Sequence, residues 1–144
     1  MTKRTLLQQL RQLTSLRPLS GLYNKNTSDN TSANRGAYAE SVAREYLQQH
    51  GLSFISANYF CKGGEIDLVM RDKHCLVFVE VRHRASHRYG SAAESVDNRK
   101  QKKLRHAAEH YLQQHPHSGS CRFDVIAMTG PVTHDNIDWI KNAF

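Results

Sequence analysis

The chain has only three cysteines, Cys61, Cys75 and Cys121. They show no C-x-x-C spacing and their number is odd, so neither a zinc knuckle nor a disulfide framework is expected. A reducing cytosol is the compartment that this usage implies, and the protein is read as cytoplasmic. No apolar run is long enough to cross a bilayer, which excludes a helical membrane protein. The opening segment, Met1 to Leu10, is too polar for a secretory leader. Internal repeats are missing, and no arrangement of Ser, Cys and His matches a nucleophile motif. Acidic residues are also few: 13 Asp and Glu stand against 20 Lys and Arg, for a formal net charge of +7. That balance suits a polyanionic partner.

What is present is unevenly distributed. Residues 1–35 hold Lys3, Arg4, Arg11, Arg17, Lys25 and Arg35 against Asp29 alone. A short leucine stripe (Leu6, Leu7, Leu10, Leu13) is broken by Pro18 and Gly21, and residues 24–34 are rich in Asn, Ser and Thr. Residues 1–34 are therefore read as a flexible basic tail, and residues 35–144 as one domain with a genuine core. Within that domain a second basic block comprises Arg82, Arg84, Arg88, Arg99, Lys100, Lys102, Lys103 and Arg105.

Periodicity sets out the elements. Ala39, Val42, Ala43, Tyr46 and Leu47 recur at helical spacing, predicting a helix over 36–50 closed by Gly51. Glu40 lies on or beside that apolar stripe, where a carboxylate is unexpected. Strand-like segments follow at 52–60, 65–70 and 75–84, with connections short enough for an antiparallel meander. The second and third are apolar on both faces and are expected to be central. A second helix, opening at Ser91 with Glu94 as a capping box, or at Ser95 or Asp97, runs to about Gln114. Its stripe is Leu104, Ala107, Ala108, Tyr111 and Leu112, with Lys100 one turn ahead. Strands at 122–128 and 136–140 complete an α/β domain of order αβββαβ with a short extra strand.

Acids interrupt the two apolar strands: Glu65 and Asp67 in one, Glu80 in the next, followed by Arg82. Alternation places Glu65 and Asp67 on one face, and Glu80 and Arg82 on one face of the neighbouring strand. Buried carboxylates are costly unless compensated. Pairing the strands brings Asp67 near Glu80, with Glu40 and Lys100 approaching from the helices. Such a group suits phosphodiester hydrolysis: carboxylates hold Mg²⁺ (or Mn²⁺) and a cation steadies the phosphoryl charge. Asp67 and Glu80 are the preferred ligands, with the Val81 carbonyl as a third and Glu40 binding through water or serving a second ion. Arg82 would clamp the phosphate. Lys100 is either a member of the site or a snorkelling side chain.

The segments Arg35-Gly36-Ala37-Tyr38-Ala39-Glu40, Gly64-Glu65-Ile66-Asp67, Val79-Glu80-Val81-Arg82, Gln101-Lys102-Lys103-Leu104, Arg122-Phe123-Asp124-Val125 and Ile140-Lys141-Asn142-Ala143-Phe144 resemble the YraN family of uncharacterised bacterial proteins. The resemblance covers about residues 35–144. It implies a restriction-endonuclease-like, Holliday-junction-resolvase-like fold with a mixed central sheet flanked by helices. It also implies acidic positions at Glu40, Asp67 and Glu80, and two-fold homodimers. Arg82 departs from the Glu-x-Lys of the nuclease pattern. Arginine binds phosphate bidentately but cannot serve as a general base.

Two functions follow as expectations. One is a Mg²⁺- or Mn²⁺-dependent endonuclease acting on DNA, including branched or damaged DNA, with Glu40, Asp67, Glu80, Arg82 and Lys100 in the catalytic group. Arg84, Arg88, Arg99, Lys102, Lys103 and Arg105 would then contact phosphates. The other is a nucleic-acid-binding protein of the same fold that has lost turnover. A third possibility is an interaction module recruited through the leucine stripe of the tail. Asp124 is read as a structural ion-pair partner, and His106 and His110 as surface residues. His83 and His87 are read as loop contacts to DNA. Tyr89 either stacks on a base or packs beneath its loop.

Overall fold

A computed structural model describes residues 32–86 and 96–144. The tail leucines, His87, Arg88, Tyr89 and the Ser91–Glu94 capping box lie outside the described residues. The elements are α1 (Ser32–Gln49), β1 (Ser53–Cys61), β2 (Gly64–Asp72), β3 (Cys75–Arg84), α2 (Asn98–Gln114), β4 (Cys121–Thr129), a 3₁₀ turn (His134–Asn136) and β5 (Ile137–Ile140). Helix α1 starts at Ser32 rather than at Gly36. Its first two turns are exposed and contribute nothing to the apolar period, which begins at Ala39. Asp97 opens α2, accepting the Lys100 amide N–H at 2.8 Å.

The five strands form one mixed sheet in the order β1-β2-β3-β4-β5. The β1/β2, β2/β3 and β4/β5 pairs are antiparallel, as short connections require. The β3/β4 pair is parallel, and α2 provides the crossover between them. Among the described residues, each face of the sheet carries one helix. Ala39, Val42, Ala43 and Leu47 of α1 pack on Leu68, Met70, Val77, Val79, Ile126 and Met128. Leu104, Ala107, Ala108 and Tyr111 of α2 pack on Ile66, Val69, Leu76 and Phe78. Both helices are thus held by a single apolar stripe, and burial of those stripes is the main term that fixes the layers. Among the described residues, no helix is long and apolar enough to cross a membrane.

The β1–β2 turn is pressed against α2. Gly63 takes φ +102°, which favours glycine, and a Cβ on Gly64 would collide with the Lys103 carbonyl. This contact fixes the β2 start relative to α2, and so positions the acids of β2 against the first turn of that helix.

Regular alternation fails at Asp67. Ile66 belongs to the cluster under α2, whereas Leu68 belongs to the cluster under α1. A regular strand would put residues two apart on one face. Opposite Asp67, Asn58 has φ +53°, and the β1/β2 register passes from Ala57↔Leu68 to Tyr59↔Ile66 without that pair. Asparagine tolerates this conformation better than most residues. Glu65 and Asp67 do line one cleft, but simple alternation is not what brings them there, because β1 is irregular opposite Asp67.

Candidate active site

The β2/β3 ladder closes at Leu68↔Val79. One residue beyond, the Asp67 side chain replaces the backbone as acceptor: its Oδ2 takes the Val81 N–H at 2.7 Å. Strand β3 continues alongside β4 as far as Arg84↔Thr129. The departure of β2 opens a cleft of about 480 Å³ lined by Glu40, Glu65, Asp67, Glu80, Arg82 and Lys100. Ser32, Arg35, Gly36 and Ala39 of α1 complete one wall, and Val81, His83, Arg84 and Ala85 another. The five residues expected to form the catalytic group all border one cavity.

Glu80 is its buried centre. On β3, Leu76 and Phe78 face α2, and Glu80 follows in the same alternation. It is 1 % exposed. Its Oε1 lies 3.2 Å from Lys100 Nζ and 3.4 Å from Arg82 Nη1. Its Oε2 is buried without a hydrogen-bond partner. Lys100 Nζ also stands 3.5 Å from Glu65 Oε1, so α2 supplies one ammonium to two acids. The Lys100 ammonium therefore lies among these acids. Glu65 has an ion pair here.

The acids disturb one another. Burial, then the neighbouring Asp67 charge, pushes the Glu80 carboxyl up to about 7, against the pull of Lys100 and Arg82. Asp67 is also raised, chiefly by burial, with the Val81 N–H and Lys100 opposing. Glu40 is raised by burial and by Asp67, while a hydrogen bond from the Asn58 side chain works the other way. Burial disfavours the Lys100 ammonium, but Glu80, Asp67 and Glu65 outweigh it and its pKa rises. Three of these acids, Glu40, Asp67 and Glu80, are thus left incompletely compensated.

A divalent ion fits this deficit. Asp67 and Glu80 are hard oxygen ligands, and Glu80 Oε2 is a buried acceptor with nothing to accept from. Among the described residues, no three His, Cys, Asp or Glu side chains are gathered into a ready-made cage. The expected ligand set of Glu40, Asp67 and Glu80 is therefore not gathered into one such group, and Mg²⁺ would have to rely on one or two carboxylates and its own waters. Asp67 and Glu80 would hold it, with Glu40 at the cleft wall acting through water or charge. Once bound, it would supply Lewis acidity and a more acidic water.

The basic residues divide by what they touch. Arg35, Arg82, Arg84 and Lys100 line the cleft. Arg99, Lys102 and Lys103 are exposed on the first turns of α2. Arg105 is different: its guanidinium lies 5.6 Å from the Phe123 ring and 5.2 Å from the Phe144 ring, a packing role. His83 Nε2 is 2.8 Å from the Gly130 carbonyl. His106 is exposed, with Nε2 3.0 Å from the Lys62 carbonyl, and His110 Nδ1 lies 2.7 Å from the Tyr59 hydroxyl. Asn58 and Ser32 carry no role in the sequence reading, and Arg35 enters it as the start of the domain and of a family-like segment, not as a site residue. Arg35 stands beside Gly36 in a quoted segment, which is the one signal that pointed to it. Asn58 stands in a strand that also carries Ser53 and Ser56, so its polarity gave no signal.

Fold and cleft together define a class: mixed α/β proteins of αβββαβ order whose acids and cations converge from both helices and two central strands. The profile of the uncharacterised protein family UPF0102 matches residues 39–128. A UPF0102 protein of Pectobacterium carotovorum subsp. carotovorum is 51 % identical over 112 residues, spanning 76 % of this chain and 92 % of the relative. One from Pseudomonas putida strain GB-1 is 50 % identical over 112 residues, spanning 76 % and 91 %. One from Chromohalobacter salexigens is 45 % identical over 117 residues, spanning 81 % and 95 %. The chain belongs to this family, the YraN family, whose description assigns no activity.

Proposed function

We propose that the protein binds nucleic acid and hydrolyses phosphodiester bonds as a Mg²⁺- or Mn²⁺-dependent DNA endonuclease. The observation that carries this reading is the buried Glu80 carboxylate with its unmatched oxygen, beside half-buried Asp67, in a cleft bordered by Arg35, Arg82, Arg84 and Lys100. Carboxylates for an ion and cations for a phosphate are the two halves of this chemistry. Arg82 would steady the phosphoryl oxygens and Lys100 would favour the ionised form of Glu80 beside them. The net charge of +7 favours encounter with a polyanion. The first turn of α1, at the cleft wall, adds the positive end of a helix to that attraction.

The test is cleavage of labelled duplex, single-stranded and four-way-junction DNA with either metal. Asp67→Asn is the control, since it keeps an oxygen for the Val81 N–H while removing the charge. Wild-type cutting that this variant abolishes supports the enzyme; equal traces with both variants remove it.

A second reading has its own support. Lys100 and Arg82 already share Glu80 Oε1, and a permanently protonated arginine occupies the position of the nuclease lysine. A protein that binds without cutting fits that arrangement. Its binding should fall steeply with salt and survive Asp67→Asn. Cutting gained by Arg82→Lys would identify the arginine as the cause of lost turnover.

A further inference from the structure

Beside the cleft, the β1–β2 hairpin presents an aromatic ring that the core does not use. Phe60 is 76 % exposed, more than any other large apolar side chain among the described residues. It borders a shallow groove with Gly63, Gly64, Glu65, Lys100 and Lys103. Glu65 and Lys100 also line the acidic cleft, so the two hollows adjoin along that ion pair.

The ring stands on a braced support. Phe60 pairs across the hairpin with Glu65. The turn that follows is held by the tight approach of Gly64 to the Lys103 carbonyl and by the 3.0 Å contact of His106 Nε2 with the Lys62 carbonyl. A solvated ring alone needs no explanation. Its setting narrows the possibilities: one ring is far too small for a stable protein interface, and lysines are depleted from the centres of such interfaces. A π-face flanked by ammonium groups is instead the pair of contacts that an unstacked nucleotide uses, base on ring and phosphate on cation.

We propose that Phe60 stacks on an unpaired nucleobase while Lys103 holds an adjacent phosphate, so that the strand led into the cleft is single or locally unpaired. This rests on the nucleic-acid function proposed above and adds the substrate class. Fully paired duplex keeps its bases inside the stack, where Phe60 cannot reach them.

Fluorescence anisotropy of the full-length protein, without added metal, tests it on a labelled single-stranded oligonucleotide and its blunt duplex. The wild type should prefer the single strand. Phe60→Ala should lose roughly tenfold or more on the single strand, within the range for base–aromatic stacks, and less than about twofold on the duplex. Phe60→Leu should match the alanine variant, because bulk without a π-face cannot stack, and Phe60→Trp should restore affinity. Lys103→Ala should lower the salt slope on the single strand by about 0.7. Unchanged single-strand binding by Phe60→Ala, an equal loss on both substrates, or rescue by leucine would overturn the proposal while the nucleic-acid function stands. Absence of binding by the wild type to either substrate would remove both.

Discussion

Glu80 on β3 and Asp124 on β4 are each 1 % exposed, on neighbouring parallel strands. Asp124 is matched by donors throughout. It accepts from Arg122 Nε at 2.9 Å, Trp139 Nε1 at 3.0 Å and the Asn142 N–H at 3.0 Å. Arg122 then continues to Asp72 at 2.9 Å. Asp124 is the structural ion-pair partner that its position in the strand suggested. Glu80 has two longer cation contacts on one oxygen, no donor to the other, and a second acid beside it that its carboxyl can hydrogen-bond. Burial of an acid therefore does not mark the site. Burial with too few donors does, because the desolvation cost is met at Asp124 and left open at Glu80.

The widest separation between the two should appear in turnover. Asp67→Asn, which disables the partner of Glu80, should slow metal-dependent cleavage by roughly two to three orders of magnitude or more. Asp124→Asn, assayed well below its melting temperature, should cut within a few-fold of wild type. Equal losses would mean that both acids serve only the scaffold.

Stability should reverse the ranking. Asp124→Ala strips three donors of their acceptor, and removing one partner of a buried pair costs about 3–5 kcal/mol. Thermal unfolding should fall by about 10 °C. A drop of only a degree or two would show that Arg122 is content with Asp72 alone.

Glu80→Gln should act in the opposite direction and depend on pH. A carboxyl raised from 4.5 to about 7 in the fold holds its proton where the unfolded chain has lost it. The folded state then binds more protons between those values, so stability declines as pH rises through that window. Glutamine removes this penalty. Urea unfolding at pH 8 should show a gain of roughly 1–3 kcal/mol, with none at pH 4. A loss at pH 8 like that of Asp124→Ala would erase the contrast.

The smallest effect extends the same logic to cations. Arg105 is engaged by two rings, whereas Lys103 borders the groove. Arg105→Gln should cost under about 1 kcal/mol of stability and leave the salt dependence of DNA binding unaltered. A changed slope would return Arg105 to the phosphate contacts.

Much of the domain was legible because its signals are local. Helical spacing from Ala39 to Leu47 and from Leu104 to Leu112 identified both core helices, and short connections identified the antiparallel meander. Glu40, Glu80 and Lys100 drew notice as charged residues on apolar stripes. The start of α1 was missed because its first turns bury nothing. The geometry around Asp67 was missed because alternation assumes a regular strand, and a left-handed Asn58 on the neighbouring strand has no signature at Asp67 itself.

Residue order alone determined the element types, the apolar faces, the positions where acids interrupt them and the family, since each depends on spacing along the chain. Only the tertiary structure decided which buried acid is left short of donors. That outcome depends on contacts such as Asp67 with Val81 and Glu80 with Lys100, which strand register and helix packing create between separate segments.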